Sequence, residues 1–230
     1  MPGLQVLWGI KKMKFKKTDI LAVLVVVASL IHLIIAYPSL PSQVVTNWGF
    51  NGEVEYSSKS TLWFLWAINA GMIPLFFVVP KIDPKGKSYI KIDGFYTYFR
   101  LAIVVFLAVM MEITILSAND PYRFNVGKIS MLGVSLLFIF IGNYLPKCKQ
   151  SFTMGIKTMW TLSDERVWNK THRFGGIMFV ISGVLTVIAG LFLAEKLASA
   201  VVMVAVLGTV IATTVYSYLL YRKYNNGEEE

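Results

Sequence analysis

Six uninterrupted apolar runs limit what this chain can fold into more than any other feature of it. They cover Ile20–Tyr37, Thr61–Pro80, Leu101–Ser117, Ile129–Leu145, Phe174–Ala194 and Ala200–Tyr221. Each is close to the ~20 residues with which a helix crosses roughly 30 Å of hydrocarbon. No water in a bilayer core can satisfy a free peptide group, and the alternation that builds a barrel is absent, so the runs are expected to be helices. Composition agrees: 56% of the residues are hydrophobic and 15% charged, against about 25% charged in soluble domains. The expected fold is an all-α integral membrane protein with six transmembrane helices, the last two forming a tight hairpin across Glu195 and Lys196. The third run carries Glu112 and is the weakest of the six as a span. The basic start looks like a signal peptide. Its apolar run exceeds the ~7–15 residues of such a segment and no small-x-small cleavage site follows, so it is expected to stay as the first helix.

Orientation follows from Lys and Arg, which resist translocation. Of the 22, one set of connections takes 18: Lys11 to Lys17, Lys81 to Arg100, Lys147 to Arg173, and Arg222 with Lys223. The alternate set holds only Lys59, Arg123, Lys128 and Lys196. Both termini are therefore expected in the cytoplasm, in a multi-pass protein of the cell membrane whose immediate partner is the lipid bilayer. This sidedness accounts for the formal charge of +9 without direct contact to nucleic acid. The expected organisation is a basic segment 1–18, a membrane half 19–127 with an extracellular loop 38–60, a second membrane half 128–223 with a cytoplasmic loop 146–173, and an acidic tail 224–230.

Two connections are too structured to be simple links. In the outer one, Pro38 and Pro41 end the first helix, and Asn51-Gly52 suits a two-residue turn with both φ positive. A hairpin closed there would set Phe50 opposite Glu53 and Trp48 opposite Glu55. In the inner one, Ser163 or Thr161 can cap a short interfacial helix whose first turn carries Asp164 and Glu165 and whose end carries Lys170, His172 and Arg173, the order that the helix dipole favours. Trp160 and Trp168 then suit the headgroup belt.

The inner connection also carries a string, Gly142-Asn143-Tyr-Leu-Pro146, then Gly155-Ile-Lys157-Thr158, Trp160-Thr161-Leu-Ser163, Trp168 and Thr171-His172-Arg-Phe-Gly175-Gly176. It resembles the signature of the SdpI family of bacteriocin immunity proteins. In the outer connection, Leu40-Pro41, Thr46-Asn47-Trp48, Gly52-Glu53 and Tyr56-Ser-Ser-Lys59 resemble an N-terminal domain of uncharacterised function often fused to that family. The two stretches cover about Leu21–Gly71 and Ile129–Val210. The resemblance implies protection of the host cell from a secreted killing peptide, and a membrane protein that holds a transcriptional repressor. It marks Asn143, Pro146, Gly155, Lys157, Thr158, Trp160, Thr161, Trp168 and His172 as the functional inner loop, and Pro41, Asn47, Trp48, Gly52 and Glu53 as its outer counterpart. Lys157 stands where the family usually has Arg.

Ionisable groups within a membrane are costly unless paired. His32, Glu112 and Asn69 lie at similar depths on the first three helices, so a polar cluster of these residues is expected. No enzyme chemistry is: there is no Gly-rich phosphate loop and no metal-ligand spacing, and Asp19, Asp83, Asp93, Asp120 and Asp164 all fall at helix ends or in loops. The single cysteine, Cys148, supplies no disulfide framework, and no cofactor is implied. A small proton-coupled transporter, with Glu112 titrating and Pro74 breaking the second helix, is the alternative function. No internal repeat supports it, and the sequence assigns no oligomeric state.

Overall fold

The computed structural model describes residues 15–49, 53–86 and 88–225. Within them α1 spans Lys17–Ala36 and a 3-10 turn, Tyr37–Ser39, leads to a hairpin of β1 (Gln43–Trp48) and β2 (Val54–Ser58). There follow α2 (Thr61–Ile82), α3 (Ser88–Lys91), α4 (Asp93–Leu116), α5 (Val126–Tyr144), α6 (Met159–Ser163), α7 (Glu165–Phe192) and α8 (Glu195–Asn225). Six of these helices are long and apolar enough to cross a membrane. The first and last begin and end on the same side, which we term the loop end; the hairpin occupies the other.

Burial is inverted relative to a soluble protein. Phe192, Val204 and Ile35 are more than two-thirds exposed, whereas Ser29, Thr114, Ser135, Ser182, Thr209 and Thr213 are buried. Apolar side chains face lipid at no cost there, so helices associate instead through small residues and hydrogen bonds. Helix α7 shows this most plainly. A Cβ added at Gly176 would lie 2.7 Å from the Gly142 carbonyl oxygen, and one at Gly183 would lie 2.8 Å from that of Ser135. With Gly190 against Met131, these glycines recur every seven residues and form a smooth strip on which α5 lies. On the opposite seam Ser182 and Thr209 share a hydroxyl hydrogen bond of 2.6 Å between α7 and α8.

The helices divide into two groups, α1, α2 and α4, then α5, α7 and α8, which meet chiefly along α4 and α5. At the loop end, a buried ion pair joins Arg100 of α4 to Asp19 of α1 at 3.0 Å, and the guanidinium lies over the Phe77 ring, 4.5 Å from its centroid.

Several expectations are corrected. Helix α4 starts at Asp93, two turns before Leu101, so Arg100 is a buried helical residue and not a loop cation. Pro74 does not break α2. The helix expected along the membrane surface from Asp164 to Arg173 is the start of α7; at about 1.5 Å per residue α7 is about 42 Å long and outreaches the hydrocarbon. Its cap is Asp164, whose carboxylate accepts from the Arg166 N–H at 2.7 Å. The separate short helix is α6, capped by Thr158. In the hairpin Trp48 faces Val54 and Asn47 faces Glu55, one residue out of the expected register even with Thr46 bulging out of β1 after the Val45–Tyr56 pair, and the Gly49 N–H donates to the Glu53 carbonyl at 2.7 Å. Five residues, 49–53, lie between the strands. Phe50, Asn51 and Gly52 lie outside the described residues, as do most of the basic start and the last five residues.

Candidate functional site

The connection from Cys148 to Thr158 has almost no regular structure, yet nearly every polar group in it is engaged. Trp168 and His172 stand one turn apart on α7 with rings stacked at 3.9 Å. The Trp168 indole N–H donates to the Cys148 carbonyl at 2.9 Å. The His172 Nδ1 lies 2.8 Å from the Trp168 carbonyl, which can only accept, so Nδ1 carries the proton. Nε2 is left to accept the Ile156 N–H at 2.9 Å, the bonding pattern of a neutral imidazole. Gly155 precedes that contact with φ +112°, and a Cβ there would lie 2.9 Å from both Trp168 Cζ2 and Cη2. Glycine is thus required for both conformation and space.

Thr158 ends the loop by capping α6. Its hydroxyl accepts from the Thr161 N–H at 3.1 Å, the Thr161 hydroxyl oxygen accepts from the Thr158 N–H at 2.9 Å, and Thr158 Oγ1 is 3.1 Å from Ser217 Oγ on α8.

The residue that sequence reasoning missed is Asp83, just past α2. Its carboxylate accepts from Ser151 Oγ at 2.7 Å and Thr153 Oγ1 at 2.6 Å, from the N–H of Phe152 and Thr153 at 3.1 Å each, and from that of Lys85 at 2.7 Å. Burial pushes this acid up, but the hydrogen bonds from Thr153, Ser151 and Lys85 outweigh it and hold the carboxyl below the ordinary range. Lys85 bonds the Gln150 side chain, Ser88 Oγ donates to the Gln150 carbonyl at 3.0 Å, and Tyr89 bonds the Thr153 hydroxyl. The first helical group therefore grips the loop of the second. A local reading could not pair Asp83 with residues about seventy positions away.

The other expected residues are dispersed. Lys157 is exposed, its ammonium 3.3 Å from the Thr153 carbonyl. Asn143 bonds its own helix at Ile139, Pro146 packs on Gly176, and Trp160 is half-buried against the Tyr218 ring at 5.2 Å. Trp168 is fully buried and is not a headgroup anchor, because its indole is used inside the loop. At the hairpin end Pro41 is half-buried and Glu53 exposed. The Asn47 amide donates to Glu55 at 2.9 Å, and the Trp48 indole N–H donates to the Pro121 carbonyl at 3.1 Å, pinning the hairpin to the link before α5. His32 and Glu112 are brought together by a direct side-chain hydrogen bond. Asn69 is not part of that pair: it is buried, and neither amide atom has a partner among the described residues.

Two cavities lie in the seam between the helical groups. One, of about 400 Å³ at the loop end, is lined by Phe76, Tyr89 and Tyr96 on one side and Ile141, Met154 and Phe179 on the other. The second, of about 450 Å³, lies under the hairpin. The outward surface of the loop shows Phe152, Met159, Lys149 and Lys157, with Met159 78% exposed.

Residues 147–217 match the model of the SdpI/YfhL protein family, and residues 24–70 match a domain of unknown function (DUF1648). Over 209 residues the chain is 27% identical to "Immunity protein SdpI" of Bacillus subtilis (strain 168), an alignment covering 91% of this chain and 98% of that protein. No solved structure matches the chain.

Proposed function

We propose that this membrane protein, whose residues 147–217 form an SdpI/YfhL-family segment, confers immunity to a secreted antimicrobial peptide. The hairpin from Val44 to Tyr56 faces outward and receives the signal; the loop from Asn143 to His172 faces the cytoplasm and delivers it, to a transcriptional repressor held there. The plasma membrane is the site of action. The likeness to an immunity protein along nearly the whole chain supports the activity. The observation that carries the assignment of roles is the clasped loop, which is fixed from behind by Asp83, Trp168 and His172 while Phe152, Lys157 and Met159 remain exposed. A connector needs no such fixation; a docking surface does, because a preordered surface loses less conformational entropy on binding.

The test is a Lys157→Ala, Trp160→Ala variant expressed at the wild-type level in cells challenged with the cognate peptide. Loss of protection is expected, and Lys157→Ala alone is expected to lose it at an unchanged melting temperature. Full protection ends the assignment of immunity to this loop. If Lys157 only meets anionic headgroups, its loss removes about 1 kcal/mol of membrane attraction and leaves protection intact.

A further inference from the structure

The cavity under the hairpin is polar at one end and apolar in depth. Asn47 and Trp48 of β1 roof it, with Glu195 and Ser199 from the first turns of α8 beside them. Its floor is made of Met110, Met111, Met131, Val134 and Val202. Val134 lies eight residues beyond the start of α5 and Val202 seven beyond that of α8, about 10 Å deeper along each helix. Methionines make a wall that adapts to varied apolar shapes, and about 450 Å³ is within the size of pockets that hold small ligands, roughly 300–1,000 Å³.

Glu195 is the one charged residue lining the cavity among the described residues. It is half-buried and forms no ion pair among them. Its Oε1 lies beside Gly127, at the start of α5. A lone acid at the mouth of an apolar slot complements an apolar segment bearing one positive charge.

We infer that the cavity beneath the hairpin binds an apolar peptide segment carrying a single Lys, Arg or terminal amine, with the cation at Glu195 and the apolar side chains against the methionines. This rests on the immunity reading and gives its incoming peptide a binding site. The hairpin, pinned at Trp48 to Pro121, then serves as the roof, and occupancy of the cavity reaches α4, α5 and α8 at once.

The test uses the full chain in phosphatidylcholine nanodiscs and two synthetic Leu/Ala peptides carrying a bromotryptophan, one with a single Lys and one with Glu in its place. Saturable quenching of Trp48 by the Lys peptide is expected, absent in Trp48→Phe. Glu195→Gln weakens binding about tenfold, the loss of one charge-assisted contact, and the Glu peptide does not saturate. Val134→Phe fills the slot and abolishes binding; Ser199→Phe is the second plug if the first does not fold. Equal binding of both peptides, or wild-type affinity in Glu195→Gln and in the folded plug, overturns the inference and assigns the cavity to lipid chains. Cells that stay sensitive despite Glu195-dependent binding refute the immunity reading alone. Protection that persists while binding ignores charge refutes the site alone.

Discussion

Gly155 concentrates the local demands of the loop in one residue. Its φ of +112° is one that L side chains rarely adopt, and the stacked Trp168 and His172 rings occupy the space of a Cβ. Gly155→Ala meets both penalties. It is expected to cost more than about 1 kcal/mol and to release the Ile156 N–H from His172, seen as faster amide exchange at Ile156 and a lower melting temperature. A variant that melts with wild type would mean that the loop has another backbone path. Cys148, by contrast, is inert: burial raises its thiol to about 11, so it offers little thiolate at neutral pH.

At the scale of elements, the two helical groups are joined by a carboxylate as well as by the packing of Phe95 on Phe140 and Tyr144. Asp83 extends from the end of α2 into the backbone of the 148–158 loop, and its lowered pKa states how that link depends on acid. A carboxyl held below its ordinary value of 3.8 contributes stability that is whole above that value and is lost as pH falls through the lower, folded one. Tryptic cleavage after Lys149 and Lys157 is therefore expected to be slow at neutral pH in the wild type. Loop amide exchange, corrected for its intrinsic rate, should stay constant from pH 7 to pH 5 and rise only in stronger acid. Asp83→Asn, which puts an amide donor among hydroxyl and N–H donors, should speed cleavage already at pH 7. Equal cleavage of variant and wild type would remove Asp83 as the tie between the groups.

For the whole molecule, the sidedness of charge predicts the hairpin outward and the loop inward. Cys148 is too buried to report this. In a Cys148→Ala background, Tyr122→Cys at the hairpin end and Lys149→Cys at the loop end are both exposed positions. An impermeant thiol reagent should label the first in intact cells and the second only after lysis. The reverse pattern would invert the molecule and exchange the roles of its two ends in the immunity reading.

The six spans and the existence of a hairpin in the outer connection follow from the sequence, because hydrophobic length and strand-forming residues act over a few neighbouring residues; the register of that hairpin and the cap of α7 at Asp164 do not. The meeting of His32 with Glu112 was legible too, since two costly groups at one depth in a bilayer need each other. The tertiary structure alone decided the rest. It set the one-residue bulge at Thr46 that turns Trp48 toward Pro121, the burial of Trp168 within the loop, the isolation of Asn69, and the grip of Asp83 on Ser151 and Thr153. Each of these depends on which distant backbone group comes within about 3 Å of a side chain, and that distance exists only once the two helical groups are side by side.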